Sequence, residues 1–255
     1  MSDPTAAELD RALAAFDAAQ FDPRVLRRAA EAWATRAQNE HASIASFARF
    51  SLGLLAVGAP PQLIALAHRA ALDEIAHAQM AFAIASAYSG TRLGPGSLDL
   101  AGALDGNADL GALVEATVLE GCVGETLSAL EAREEAGLAT EPAARVALAR
   151  IADDEARHAE LAWAFVRWAM EVEPGLVEPV GRQFRDVLAR AAAGPPEARC
   201  FEPELGAFGF LSREAQSALR RRAIGEVLAP AAEAMTKPTM DRAVTRSRGS
   251  VGARE

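Results

Sequence analysis

ALDEIAHAQM (71–80) and IADDEARHAE (151–160) each set a glutamate three residues before a histidine, Glu74 with His77 and Glu155 with His158. Residues three apart on an α-helix project from one face at neighbouring levels, so each pair addresses one small volume. Both stretches lie in runs rich in Ala and Leu, and both pairs fall on the apolar line of their run. A helix that twice places a carboxylate and an imidazole among core positions needs a cause for doing so.

Working outward, apolar residues at steps of three and four predict four long helices. The first, 23–57, has its inward line through Trp33, Ala37, Ile44, Phe47 and Leu54, and Glu40 falls on it. The second, 61–88, runs through Ala67, Ala70, Ala81 and Ile84 and contains Glu74 and His77. The third, 109–136, runs through Leu113, Thr117, Val123 and Leu127 and takes in Glu120. The fourth, 142–170, runs through Leu148, Ile151, Ala162 and Phe165 around Glu155 and His158.

Gly58 with Pro60 and Pro61 breaks the first pair of helices, and Gly137, Thr140 and Pro142 break the second. The Gly-rich stretch 89–108 is long for a helix connection and reads as a crossover over the bundle surface. Two short connections around one long one predict an all-α four-helix bundle with the crossover between helices 2 and 3. Additional C-terminal helices are predicted at 176–193 and at 212–235, the latter capped by Ser212. The layout is then an N-terminal arm (1–22), the bundle (23–172), a helical extension packed on it (173–236) and a flexible basic tail (237–255).

The halves repeat. Glu40 stands 34 residues before Glu74, and Glu120 stands 35 before Glu155, so each half is a helix pair with one Glu on its first helix and Glu-x-x-His on its second. Six ligand groups then converge on the bundle axis: Glu40, Glu74, His77, Glu120, Glu155 and His158. Four buried carboxylates without compensation would cost several kcal/mol each, against a typical domain stability of about 5–15 kcal/mol. Either they are protonated or cations sit among them. Two divalent ions balance four carboxylate charges, and oxygen-rich ligation with one imidazole per ion suits iron or manganese better than zinc. Glu125, five residues beyond Glu120, is the competing choice, but five residues is about 140° around an α-helix, and the repeat favours Glu120.

Composition narrows the classes. The 255 residues are 51% hydrophobic but only 5% aromatic, which favours packed helices, and the net charge of −9 argues against a nucleic-acid partner even though the tail is basic. No apolar run approaches the roughly 20 residues that span a bilayer, and the polar start MSDPTAAELD lacks the form of a signal peptide, so no membrane partner and a cytoplasmic location are expected. Cys122 and Cys200 belong to no Cys-x-x-Cys pair. His41 is turned off the face of Glu40 and His68 stands six residues before Glu74, and both are expected at the surface or in a layer behind the ligands.

Glu40, ALDEIAHA, Glu120 and ADDEARHA together resemble the ferritin-like superfamily of di-iron carboxylate proteins, over about residues 23–170. The resemblance implies a ferritin-like bundle in which the six groups above bind two iron ions, or manganese, with Glu74 and Glu155 as bridges. It also implies that the Asp before each Glu-x-x-His accepts a hydrogen bond from the opposite histidine, which pairs Asp73 with His158 and Asp154 with His77. Tyr88, the only tyrosine, lies eleven residues beyond His77, which departs from the radical-bearing branch of the family.

The activity so implied is that of a dioxygen-dependent oxidase or oxygenase acting on a small organic substrate, with an external electron donor and a homodimeric assembly. A ferroxidase keeps the same ligands with ferrous iron as substrate. A peroxide reductase like rubrerythrin is the third reading, and it too would draw its electrons from an external donor.

Overall fold

The structure is a computed structural model that describes residues 4–102, 109–193 and 203–237. Those residues are mostly helical, with no strand among them. α1 is Pro4–Ala14, α2 Pro23–Ala56 and α3 Pro61–Ser89. α4 runs in three pieces, Leu110–Thr117, a π-helical Val118–Glu125 and Thr126–Leu138. α5 is Pro142–Val172 and α6 Val177–Ala193, and α7 again has three pieces, Arg213–Ala223, π-helical Ile224–Leu228 and Ala229–Thr236.

Local chemistry sets these limits. Asp22 accepts from the backbone N–H of Arg24 at 2.8 Å, with Pro23 in the first turn, so α2 starts with a filled cap. Asp109 does the same for α4 through Ala112 N at 2.7 Å, and Ser212 for α7 through Ala215 N at 3.3 Å. Gly58 and Gly90 end α2 and α3 in the left-handed region at φ 66°, which a residue with a Cβ resists. The cap of α5 is Glu141 rather than Thr140: its carboxylate accepts from Ala144 N at 2.7 Å and from the buried Tyr88 hydroxyl. α4 runs one residue past Gly137, to Leu138.

α2 packs along α3 and α4 along α5, and the two hairpins meet chiefly where α3 lies on α5. Between the second and third helices the chain crosses over through residues 91–102, which form no regular element; the crossover's residues 103–108 lie outside the described residues. The N-terminal arm is itself helical. Its Leu9 is buried against α3 and α5, a contact that the arm's polar composition conceals. α6 and α7 cover α4, with Arg220 of α7 bonded to Glu131 of α4 at 3.0 Å. Beyond Lys237 the predicted basic tail lies outside the described residues.

The interior falls into two apolar clusters. One gathers Trp33, Ala37, Ile84, Leu148 and Phe208; the other gathers Phe47, Leu54, Val118, Phe165 and Phe184. The chain passes from one to the other between residues 37 and 47 on α2, 80 and 70 on α3, and 152 and 161 on α5. In that gap, at mid-bundle, lies a layer of buried charge.

Candidate metal centre

The layer contains Glu40 from α2, Glu74 and His77 from α3, and Glu155 and His158 from α5, all buried. The Nδ1 of His77 is 3.7 Å from Glu40 Oε2, 3.6 Å from Glu74 Oε2 and 3.8 Å from Glu155 Oε1. The Nδ1 of His158 is 3.2 Å from the other oxygen of Glu74. One carboxylate therefore spans the two imidazoles, whose ring centres are 6.0 Å apart. Two overlapping groups could hold an ion each: Glu40, Glu74, His77 and Glu155 form one, and Glu125, Glu155 and His158 the other. Glu155 belongs to both.

Each histidine turns its Nε2 to an aspartate of the opposite helix. His77 Nε2 is 3.0 Å from Asp154 Oδ2, and His158 Nε2 is 3.5 Å from Asp73 Oδ2. A hydrogen on Nε2 leaves the Nδ1 lone pair facing the carboxylates, which is the tautomer a ligand needs. Sequence reasoning missed the next layer. Arg150 donates from Nε to Asp154 at 2.5 Å and reaches Asp73 at 3.7 Å, while Arg157 bonds the other oxygen of Asp154 and also lies 3.7 Å from Asp73. Two guanidiniums thus balance the two aspartates. The signal was present: Arg157 and Arg150 stand three and four residues from Asp154, the spacing at which helical side chains meet.

Glu120 is not in this layer. It is exposed, and its two oxygens accept from Arg49 Nη2 at 2.9 and 3.1 Å. Glu125 takes the place instead and shares a hydrogen bond with Glu155. The cause is the π-helical stretch that carries both residues. Its i→i+5 bonding winds each residue through a smaller angle than an α-helix does, so the 140° separation that excluded Glu125 does not apply; both glutamates line the groove beside the centre, but only Glu125 comes within reach of Glu155 and His158. Gly121 and Gly124, two helix-weakening residues inside a long helix, are the sequence trace of that irregularity. A Cβ on Gly121 would lie 2.5 Å from the Cβ of Ala162, so α4 reaches α5 here only because the side chain is missing. His68 is exposed and His41 half-buried, and neither joins the cluster; Cys122 is buried, and burial pushes its thiol well up.

Protons and charges compensate one another in the protein as it stands. Burial works against the charge on His77, but the bonds to Asp154, Glu40 and Glu74 outweigh it and raise the imidazole to about 12. His158 is raised to about 9 against the same burial, by Asp73 and Glu74. Glu74 and Asp154, despite burial, are each held down to about 2, the first by both histidines and the second by His77 and Arg150. Burial pushes Glu125 up to about 7, and Glu155 is raised well above the carboxylate range by burial and by Glu125.

A groove leads to the centre. On the side away from the α3–α5 contact, α2 and α4 flank a cavity of about 490 Å³ onto which Glu40, Glu125 and Glu155 face. Its far end carries two ion pairs, Arg36 with Glu135 at 2.6 Å and Arg220 with Glu131 at 3.0 Å. Phe210 and α7 roof it.

No family model matches the chain, and neither a curated protein nor a solved structure matches it.

Proposed function

We propose that the chain is a di-metal carboxylate protein of the ferritin-like kind that binds two iron or manganese ions and acts as a dioxygen-dependent oxidase or oxygenase on a small organic molecule. One observation carries the reading. Among the described residues six buried side-chain nitrogen and oxygen atoms lack a close hydrogen-bond partner, and four of them face one another in this cluster: Glu74 Oε2, His77 Nδ1, Glu155 Oε2 and His158 Nδ1, while a fifth, His158 Nε2, is turned to Asp73 at 3.5 Å. A buried polar atom left unpaired costs about 1–3 kcal/mol, so four at one spot mark a place built for something they bind. Four carboxylates and two imidazoles are a donor set suited to two oxygen-loving divalent ions, whose charge the carboxylates cancel.

In this reading Glu40, Glu74, His77 and Glu155 would hold one ion and Glu125, Glu155 and His158 the other, with Glu74 lying between the two imidazoles. A redox-active pair bound here would pass two electrons to dioxygen, and an external electron donor or the organic molecule itself would supply the remainder. The chain's own part is to fix the imidazoles through Asp73 and Asp154, keep those aspartates ionised through Arg150 and Arg157, and admit a reactant along the α2–α4 groove. A cavity of about 490 Å³ beside the centre leaves room for an organic reactant.

The ferroxidase reading keeps the same centre and is favoured by the three carboxylates, Glu40, Glu125 and Glu155, that the groove presents to an entering cation. Metal analysis of the purified chain tests the shared premise: about two iron or manganese per chain, lost in Glu74→Ala. Uptake of no metal at neutral pH refutes it. Dioxygen consumed by the ferrous protein in step with a converted organic compound supports the oxygenase. Consumption that yields only ferric iron for every compound supplied supports the ferroxidase.

A further inference from the structure

The groove can be read for what it accepts by summing its charges and counting its apolar surface. Its centre-facing end holds Glu40, Glu125 and Glu155, and with Glu74 behind them these four charges equal those of two divalent ions. The remaining glutamates of the lining are each paired: Glu135 with Arg36, Glu131 with Arg220 and Glu120 with Arg49. With its ions in place the groove is neutral, and a ligand of net charge would enter without a counter-charge. Its walls between the two ends are hydrogen-bonding groups without charge, Asn39, Ser43, Ser128 and Gln216. Of larger apolar side chains it has Ile151 and Phe210, too little to hold an alkyl tail.

The sixth unpaired buried atom lies on this groove's wall. Arg36 Nε has no hydrogen-bond partner, although the guanidinium is held at 5.5 Å from the Trp33 ring and 5.7 Å from that of Phe210 and is bonded to Glu135. Burial works against its charge, yet Glu135 and then Glu40 keep it above its ordinary value. A fixed cation paired with Glu135, beside acceptors and hydroxyls, is a surface for a molecule that both donates and accepts.

We propose, on the basis of the di-metal reading, that the groove binds a small hydrophilic organic molecule of no net charge, a polyol or a zwitterion, lying between the Arg36–Glu135 pair and the oxygens of Glu40 and Glu125. The cavity volume falls in the range of small-molecule sites. Hydrocarbon chains, fatty acids and polyamines are excluded by the same walls.

Saturation-transfer NMR on the metal-loaded full chain tests this with myo-inositol and L-serine as neutral probes and with octanoate and 1,6-diaminohexane as charged ones. At least one neutral probe binds, which of the two separates polyol from zwitterion, and the charged probes do not compete. The Ser128→Ala, Gln216→Leu double variant keeps its metal content and helical spectrum but binds that probe about tenfold more weakly. Preference for octanoate or the diamine, binding of neither neutral probe, or unchanged affinity in the variant overturns the assignment. A metal-loaded chain that fails in these ways leaves the di-metal reading intact, whereas a chain that takes up no metal overturns both.

Discussion

Glu74 shows most plainly what the centre asks of a single side chain. It lies on α3, it is almost wholly buried, and its two oxygens face the Nδ1 atoms of two histidines on different helices. A carboxamide of the same shape would offer one oxygen where two are used. Glu125 and Glu120 test the assignment more sharply, because they sit five residues apart and only one faces Glu155. Glu125→Gln is expected to lower metal content from about two ions per chain towards one, while Glu120→Gln leaves it unchanged and costs the stability of one exposed ion pair, about 0–1 kcal/mol. Metal analysis alongside thermal unfolding reads both effects. The reverse pattern would mean that α4 is wound as a plain α-helix. Glu40, Glu74, His77, Glu155 and His158 were legible because their helices are regular and their spacing maps directly onto one face. Glu125 was not, because its position depends on a local change of winding that a fixed angle per residue cannot represent.

At the scale of the element, the π-helical stretch of α4 is what turns Glu125 inward, and Gly121 is what lets it lie against Ala162. Gly121→Ala places a Cβ where 2.5 Å is all the room there is, and backbone stands close behind. The helix must move off α5 or rewind. We expect a loss of about 1–3 kcal/mol together with weakened binding at the Glu125 position, measured by chemical unfolding and by metal titration. Gly124→Ala, whose nearest neighbour is the Leu119 carbonyl at 3.4 Å, is the milder control. Equal effects from the two substitutions would show that close helix approach does not matter here. The helices themselves were readable from caps and periodicity: Asp22 with Pro23, Gly58 with Pro61, and Ser212 all stand within two residues of an observed boundary. α1 was hidden because, of its eleven residues, only Leu9 is buried, too little for a periodic pattern.

Across the whole molecule, a layer of charge divides two apolar cores, and its protonation couples stability to pH. Glu125 and Glu135 are raised from 4.5 to about 7, and Glu155 is raised well above 4.5. His158 is raised from 6.5 to about 9, and His77 to about 12. Each of these groups holds its proton in the folded chain at a pH where the unfolded chain has released it, so each contributes stability that is lost as pH rises through the folded value. Glu74 and Asp154, held at about 2, act the other way, and their contribution is lost only as pH falls below the ordinary carboxylate range. The chelator-treated protein should therefore lose thermal stability from about pH 5 to about pH 8. Metal ions displace the same protons, so the gain in Tm on adding manganese should grow over that interval. A metal-free protein that becomes steadily more stable as pH rises would contradict this distribution of protons. The sequence carried the charge balance of the layer, since counting four carboxylates and two histidines needs no coordinates. It did not carry Arg150 and Arg157 as counter-charges to the aspartates, because an arginine on a helix flank is solvated unless the neighbouring helix brings it a partner.

The most direct measurement is anomalous scattering from crystals of the chain grown with manganese. The account predicts two peaks at mid-bundle, about 3.5–4 Å apart, one beside His77 Nδ1 and the other beside His158 Nδ1, with Glu74 between them. Manganese bound only at the surface, or a layer of carboxylates and histidines that stays metal-free while every helix keeps its place, would contradict it.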